Sequence, residues 1–203
     1  MPVATVTDRR IVKTKRAFHT SLIELMDELG FDGFTVNDLC ERAEINRGTF
    51  YNHYHDKEDV LASMEDQFFS EISEYSEKLK KTSLLQVTRC IAAKKPLPAL
   101  VDLFAYLRSQ GAFLSAVLGE HGDASFGPRL RDTVCAGFIE SILHEKYRKN
   151  PTPFVGYYIA FYASAYLGVI THWLETDMYE TDDEMARIAM RLLFIKPGES
   201  IKL

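Results

Sequence analysis

The sequence predicts an all-α protein in which a small N-terminal three-helix unit is joined by a long helix to a larger helical bundle. Three observations carry this. Apolar residues recur at spacings of three and four along nearly the whole chain, the period of a helix with one buried face. Residues 35–54 read as a short helix, a tight turn and a second short helix. Residues 154–174 contain no Asp, Glu, Lys or Arg, as expected of a helix surrounded by other helices.

The first helix is expected over residues 8–29, with Ala17, Leu22, Leu25, Met26 and Leu29 as its stripe and Gly30 as its stop. Asp32-Gly33 is a turn signal between Phe31 and Phe34, which would pin this helix against the helical hairpin after it. Thr35 caps the next helix with Asp38 in capping-box position, and Val36, Leu39, Cys40 and Ala43 line one face of it. Glu44-Ile45-Asn46 makes the turn, with Ile45 as a buried hook and Asn46 as the cap of a helix over residues 47–54. There, Arg47, Thr49, Tyr51, Asn52 and His53 offer a guanidinium, two hydroxyls, an amide and an imidazole, groups that bond phosphates and base edges. Phe50 and Tyr54, four apart, anchor the inner side. A helix-turn-helix places such a helix in the major groove of duplex DNA, so residues 1–55 read as a DNA-binding domain. Asp56 caps a fourth helix to about residue 81, with Leu61, Met64, Phe68, Ile72, Tyr75 and Leu79 facing inward. At 1.5 Å per residue it spans roughly 37 Å and acts as a lever into a second domain, residues 56–203.

The run from Thr35 through Lys57 resembles the DNA-binding domain of the TetR/AcrR family of bacterial transcriptional regulators. The match is strongest at Arg47-Gly48-Thr49-Phe50-Tyr51-Asn52-His53-Tyr54, followed by Asp56-Lys57. It covers about the first quarter of the chain, and the remainder agrees in length and helical character. The resemblance implies that Thr49, Tyr51 and Lys57 hold phosphates and that Arg47, Gly48, Asn52 and His53 face or approach the bases. Thr35, at the start of the motif, joins the same DNA-binding set. It further implies a homodimer packed through the last two long helices of each subunit, binding a near-palindromic double-stranded operator. Asn52 and His55 stand where the family often has a larger residue and a lysine.

Net charge is −5 and the pI about 5.7, which does not announce a nucleic-acid binder. The charge is unevenly placed, however, with Arg9, Arg10, Lys13, Lys15 and Arg16 together near the start; beside the motif, a phosphate contact is the better reading of them. Cysteines 40, 90 and 135 are widely spaced in apolar stretches and read as reduced, buried residues of a cytoplasmic protein. The N-terminus lacks the apolar core of a signal peptide.

The second domain is helical by pattern. Helices are expected over residues 83–94 and 99–110, separated by the break Lys94-Lys95-Pro96-Leu97-Pro98. After Gly111 comes a helix over residues 112–120, then a loop over residues 121–127. Pro128 opens a further helix as a first-turn proline, running to about Lys149 and stopped by Asn150-Pro151-Thr152-Pro153. Residues 154–174 approach the length of a membrane span; four mid-segment tyrosines, His172 and the lack of any second span favour a buried core helix. Gly156, Ala160, Ser164 and Gly168 form a ridge of small residues suited to close helix contact, opposite a bulky face of Tyr158, Tyr162, Tyr166, Val169 and Trp173. The last helix starts at the cap Thr181 with Glu184 in capping-box position, and Met185, Ile188, Ala189, Leu192 and Leu193 make its stripe. Ligand cavities are mostly apolar and aromatic, so a small apolar or aromatic effector would be walled by Phe104, Tyr162 and Trp173, with Phe138, Tyr158 and Tyr166.

Other chemistry has no foothold. Phosphate loops, GxSxG, HExxH and CxxC are missing, and His53-x-His55 has the wrong spacing for two ligands on one helical face. Cys90, Cys135, His121, His144 and His172 are scattered singly on apolar segments, so no metal or cofactor is expected. No nucleophile is paired with a base, which argues against an enzyme. The reading that results is a ligand-responsive DNA-binding regulator, more a repressor than an activator. A helical co-regulator or adaptor with no small-molecule ligand is the alternative, and it leaves Arg47 to Lys57 unexplained.

Overall fold

The computed structural model describes residues 6–143 and 152–193, and every regular element among them is helical. Helix α1 (Val6–Leu29) is followed by a 3-10 turn (Phe31–Gly33), α2 (Val36–Arg42) and α3 (Arg47–Tyr51). Gly30 stops α1 with φ 73°, a left-handed conformation that glycine adopts without a Cβ penalty. The Thr35 cap is a complete capping box: its N–H donates to Asp38 Oδ2 at 2.7 Å, and Asp38 N–H donates to Thr35 Oγ1 at 3.4 Å. Ile45 is half-buried, not the buried hook expected. The turn closes through backbone instead, with Glu44 in the left-handed region and Ile45 N–H donating to Cys40 O at 3.0 Å. Across α1 and α2, Arg42 bonds Glu28 through both terminal nitrogens at 2.8 and 2.6 Å.

By compactness the chain divides into two units, Met1–Phe68 with Ser115–Ala124, and Phe69–Leu114 with Ser125–Leu203. The first therefore takes in the opening half of α4 (Lys57–Lys80) and the end of α7 (Gly111–Leu118) with the segment after it. The core of this unit is Phe18, Leu22, Leu39, Phe50 and Val60, all fully buried. Three connections hold its 3-10 turn. The Lys57 ammonium donates to the carbonyls of Phe31 at 2.6 Å and Phe34 at 2.9 Å, 4.8 Å from the centre of each ring. Phe31 N–H donates to His121 O at 3.4 Å. The His121 side chain closes on Gly30, where an added Cβ would lie 3.1 Å from His121 Cβ.

The second unit contains the rest of α4 and α7, α5 (Leu84–Ala92), α6 (Pro98–Ser109) and α8 (Phe126–Leu130). A π-helical turn (Arg131–Cys135) leads into α9 (Ala136–Ile142), and α10 (Pro153–Glu175) and α11 (Asp182–Leu192) complete the unit. The helix expected from Pro128 begins two residues earlier, at Phe126, and widens at the π turn, which no local sequence signal announced. The helix expected to run on to Lys149 ends at Ile142, where Leu143 turns to extended backbone; the rest of that span, with His144, lies outside the described residues. Helix α11 packs on α6 and α5, and α10 on the π turn and α9. Arg108 clasps the α10–α11 connection: Nε bonds Asp182 Oδ1 and a terminal nitrogen bonds Met178 O, both at 2.8 Å, while the other bonds Glu180 O. Its guanidinium also covers the Trp173 ring at 4.9 Å.

The bonding in the first unit has two measurable consequences. Lys57→Met should lower unfolding stability by about 1–3 kcal/mol, because two carbonyls lose a charged donor; denaturant titration of the purified protein measures it. His19 is held at a pKa of about 4, below the ordinary histidine value of 6.5, chiefly by burial and secondarily by the Lys15 charge. The unfolded chain therefore takes up this proton first, and stability falls as pH drops from about 6.5 towards 4. His19→Gln should flatten that limb in melting curves recorded across this window.

Candidate nucleic-acid interface

Helix α3 has only five residues, too few to hold helical structure unaided, so its position is set from outside. Asn46 caps it, accepting Thr49 N–H at 2.8 Å. Phe50 meets Phe18 edge-on at 5.3 Å, and Tyr54 meets Phe18 at 6.1 Å and Phe50 at 5.9 Å. The Tyr54 hydroxyl lies 3.0 Å from His19 Nε2, and Lys15 Nζ lies 5.8 Å from the Tyr54 ring. The helix is shorter than the span to Tyr54 expected from sequence, residues 52–53 continuing as a turn; the inward and outward faces are those expected.

The outward face carries Arg47, Gly48, Tyr51 and Asn52, all exposed, with Thr49 and His53 half-buried beside them. Arg47 and Tyr51 are already paired: an Arg47 terminal nitrogen donates to the Tyr51 hydroxyl at 3.2 Å, and its guanidinium stands 5.8 Å from the ring centre. Arg47 thus presents an ordered fork, with its remaining N–H groups available to an acceptor such as a base edge or phosphate. Gly48 has no positive φ, and a Cβ built there would meet only Asn46 Oδ1 at 3.4 Å. Nothing in the chain itself requires glycine at that position.

Two members of the expected set are already bonded within the fold. The Thr35 hydroxyl is committed to Asp38, donating to its carboxylate at 2.7 Å. Lys57 spends two of its three donors on the carbonyls of Phe31 and Phe34, leaving one for any phosphate. Arg42, with its bidentate grip on Glu28, is an ordering residue that sequence alone does not reveal; a partner fourteen residues away gives no local signal.

The residues expected to wall a pocket fall into groups. Phe104 and Trp173 are fully buried and meet edge-on at 5.4 Å, with the indole N–H donating to Glu180 O at 3.1 Å. Phe138 and Tyr166 meet at 6.0 Å, and the Tyr166 hydroxyl donates to Ala189 O. Tyr158 and Tyr162, half-buried, have ring centres 4.6 Å apart. Burial raises the Tyr166 hydroxyl and, to about 12, the Cys135 thiol, so both are neutral. On α10 the small residues Gly156, Ala160, Ser164 and Gly168 are all exposed, and nothing lies within 4 Å of a Cβ built at Gly156 or Gly168. The ridge expected to meet a neighbouring helix has no such neighbour among the described residues of this chain. Beside it Phe154, Tyr157 and Phe161 are 72%, 77% and 68% exposed.

Known proteins share this fold. Residues 21–64 match the family model for the bacterial regulatory proteins of the tetR family, and residues 94–194 match a transcriptional regulator C-terminal region of the TetR type. An HTH-type transcriptional regulator of Bacillus subtilis, YxbF, is 33% identical over 69 residues, 34% of this chain but only 18% of that relative's length. A TetR transcriptional regulator from Streptococcus agalactiae superposes with a TM-score of 0.57 at 21% identity, covering 93% of this chain and 97% of the other. The fatty acid degradation regulator FadR from Bacillus halodurans gives 0.63 at 15% identity, covering 92% and 97%. The dihydroxyacetone kinase operon activator DhaS gives 0.57 at 15% identity, covering 89% and 93%. These likenesses show a shared fold. With both its helix-turn-helix and its C-terminal region matched, the chain belongs to the TetR family of DNA-binding transcriptional regulators, and it is not an enzyme.

Proposed function

We propose that the protein is a cytoplasmic homodimeric repressor that binds a near-palindromic operator and is released by a small apolar or aromatic effector. The observation that carries the DNA half is Gly48. It sits exposed in α3, where glycine weakens a helix and the fold makes no use of its missing Cβ. A glycine kept there suits close approach of an external surface, and the ordered Arg47–Tyr51 pair beside it supplies the matching donors. Occupancy of promoter DNA excludes polymerase, which makes repression the simpler outcome. DhaS, of the same fold, is named an activator, so fold alone leaves the sign open to a promoter assay.

The dimer reading rests on α10. Its outward face combines Phe154, Tyr157, Phe161, Ser164 and Gly168 on one stripe with no carboxylate or ammonium, whereas monomers rarely leave so continuous an apolar patch uncovered. On α11 the exposed positions are charged, among them Asp183, Glu184, Arg187 and Arg191. We assign α10 as the centre of the interface and α11 as its polar rim. The symmetry axis would set two α3 helices about 34–36 Å apart on successive major grooves.

For the effector, the favoured wall is that of Tyr158, Tyr162, Tyr166 and Phe138, beside the π turn. Such turns recur at functional sites because they open the ladder of backbone bonds. Trp173, two turns beyond Tyr166 on the buried face of α10 and meeting Phe104 edge-on, would back that wall. An effector acts by binding the DNA-unready state more tightly, and it is weakened by the operator to the same degree.

Gly48→Ala should keep or raise the melting temperature yet weaken binding to an operator recovered by selection from random duplexes. Arg47→Ala should cost about 1–3 kcal/mol of discrimination between operator variants. If both bind the selected operator as wild type does, α3 is not the reading helix. Phe161→Glu should convert the dimer to a monomer of unchanged helix content, measured by light scattering and circular dichroism.

A further inference from the structure

The first turns of α1 project beyond the packed part of their unit. Residues 9–13 are all exposed, and the first buried residue of the helix is Phe18. Residues 9–13 therefore form an overhang of about 7 Å at 1.5 Å per residue. It is strongly basic, with Arg9, Arg10 and Lys13, and Lys15 and Arg16 follow at its base, in a chain whose net charge is −5. Arg9, Lys13 and Arg16 fall at 0, +4 and +7, a single line along the helix, on the side opposite Phe18, Leu22 and Leu25. None of the five cations forms an ion pair among the described residues.

Stability does not account for this arrangement. Cations near a helix N-terminus oppose the macrodipole, and like charges one turn apart repel. The overhang has neither a packed face nor acidic partners to compensate. A local rule broken without an internal gain points to an external partner, here an anionic one. Its place in the fold selects which. Helix α1 meets α3 at Phe18, whose ring touches Phe50, and His19 lies 3.0 Å from the hydroxyl of Tyr54, three residues past that helix. Lys15, next to Arg16 of the stripe, reaches to 5.8 Å from the Tyr54 ring. Lys15 thus ties the basic stretch to the segment that follows α3, in the same compact unit as Arg47.

We infer that the overhanging first turns of α1 are a second DNA-contact surface, in which Arg9, Lys13 and Arg16 hold backbone phosphates flanking the groove entered by α3. This rests on the reading of α3 as the recognition helix and adds a separate, sequence-independent share of the affinity. Long flexible cations suit that task, since phosphate contacts position a protein on the duplex without reading bases.

The test uses the full chain and a duplex recovered by selection, prepared with long flanks and again trimmed to the selected base pairs. For Arg9→Gln/Lys13→Gln/Arg16→Gln, the salt dependence on the long duplex should flatten by about one unit of slope for each phosphate no longer neutralised. Affinity should fall by the same factor for every operator variant, so that base preference is unchanged. On the trimmed duplex the variant and wild type should bind alike. Arg9→Lys/Arg16→Lys should behave as wild type, because charge is kept. Should the triple variant lose helix content, Arg9→Gln alone, outside the packed region, gives the same reading on a smaller scale. Equal salt slopes for variant and wild type on the long duplex overturn the proposal while leaving α3 as the reader. A wild-type protein that selects no duplex at all overturns the α3 reading, and this proposal with it.

Discussion

The structure depends on the aromatic clasp that holds α3. A five-residue helix cannot offset its own nucleation cost. It exists because Phe50 and Tyr54 are driven against Phe18 and Asn46 closes its first turn. Phe18 and Phe50 have no exposed surface, so burial of two large rings stabilises what hydrogen bonding alone would leave frayed. The same clasp fixes which side chains face outward: with Phe50 inside, Gly48 and Asn52 point the opposite way, and Arg47 and Tyr51 stand exposed on the flank beside them. Packing on the inner face and presentation on the outer face are thus one constraint.

A second constraint runs through Phe31. Its N–H donates to His121 O and its carbonyl accepts from Lys57 Nζ, so the turn between α1 and α2 is tied to two distant stretches of chain. Lys57 is the first residue of α4, and His121 comes shortly after α7; each of these helices also contributes residues to the second compact unit. The turn from which α2 starts is therefore held from two directions, by Lys57 and by His121. The Lys57 ammonium is well suited to this, because a point charge between two carbonyls and two ring faces keeps its grip over small displacements.

Helix α10 illustrates how length and apolarity mislead when read alone. It is long and apolar enough to cross a membrane. Its inner face is nevertheless bound to the helices of its own unit, with Tyr166 donating to Ala189 O and Trp173 to Glu180 O. The outer face carries small residues and three exposed aromatic rings, Phe154, Tyr157 and Phe161. Over residues 154–174 neither face carries Asp, Glu, Lys or Arg, and only the inner one is covered by described residues of the chain itself.

Local physics left a legible trace in the sequence. The capping boxes at Thr35–Asp38 and Thr181–Glu184, the glycine stop at Gly30 and the inward stripes of α4 and α11 all involve residues within one or two turns of each other. The motif from Arg47 to Lys57 was legible for the same reason, since its inner anchors and outer donors alternate along one short helix. Long-range bonding decided the rest. Nothing near Lys57 in the chain marks Phe31 and Phe34 as its acceptors, nothing near Arg108 marks Asp182, and nothing near Gly30 marks His121 as the side chain that closes on it. The half-buried state of Ile45, the π turn at residues 131–135 and the exposure of Phe154, Tyr157 and Phe161 belong to the same class. Periodicity reports that a face is apolar; only the packed neighbours determine whether that face is filled by the chain's own core or left for a partner.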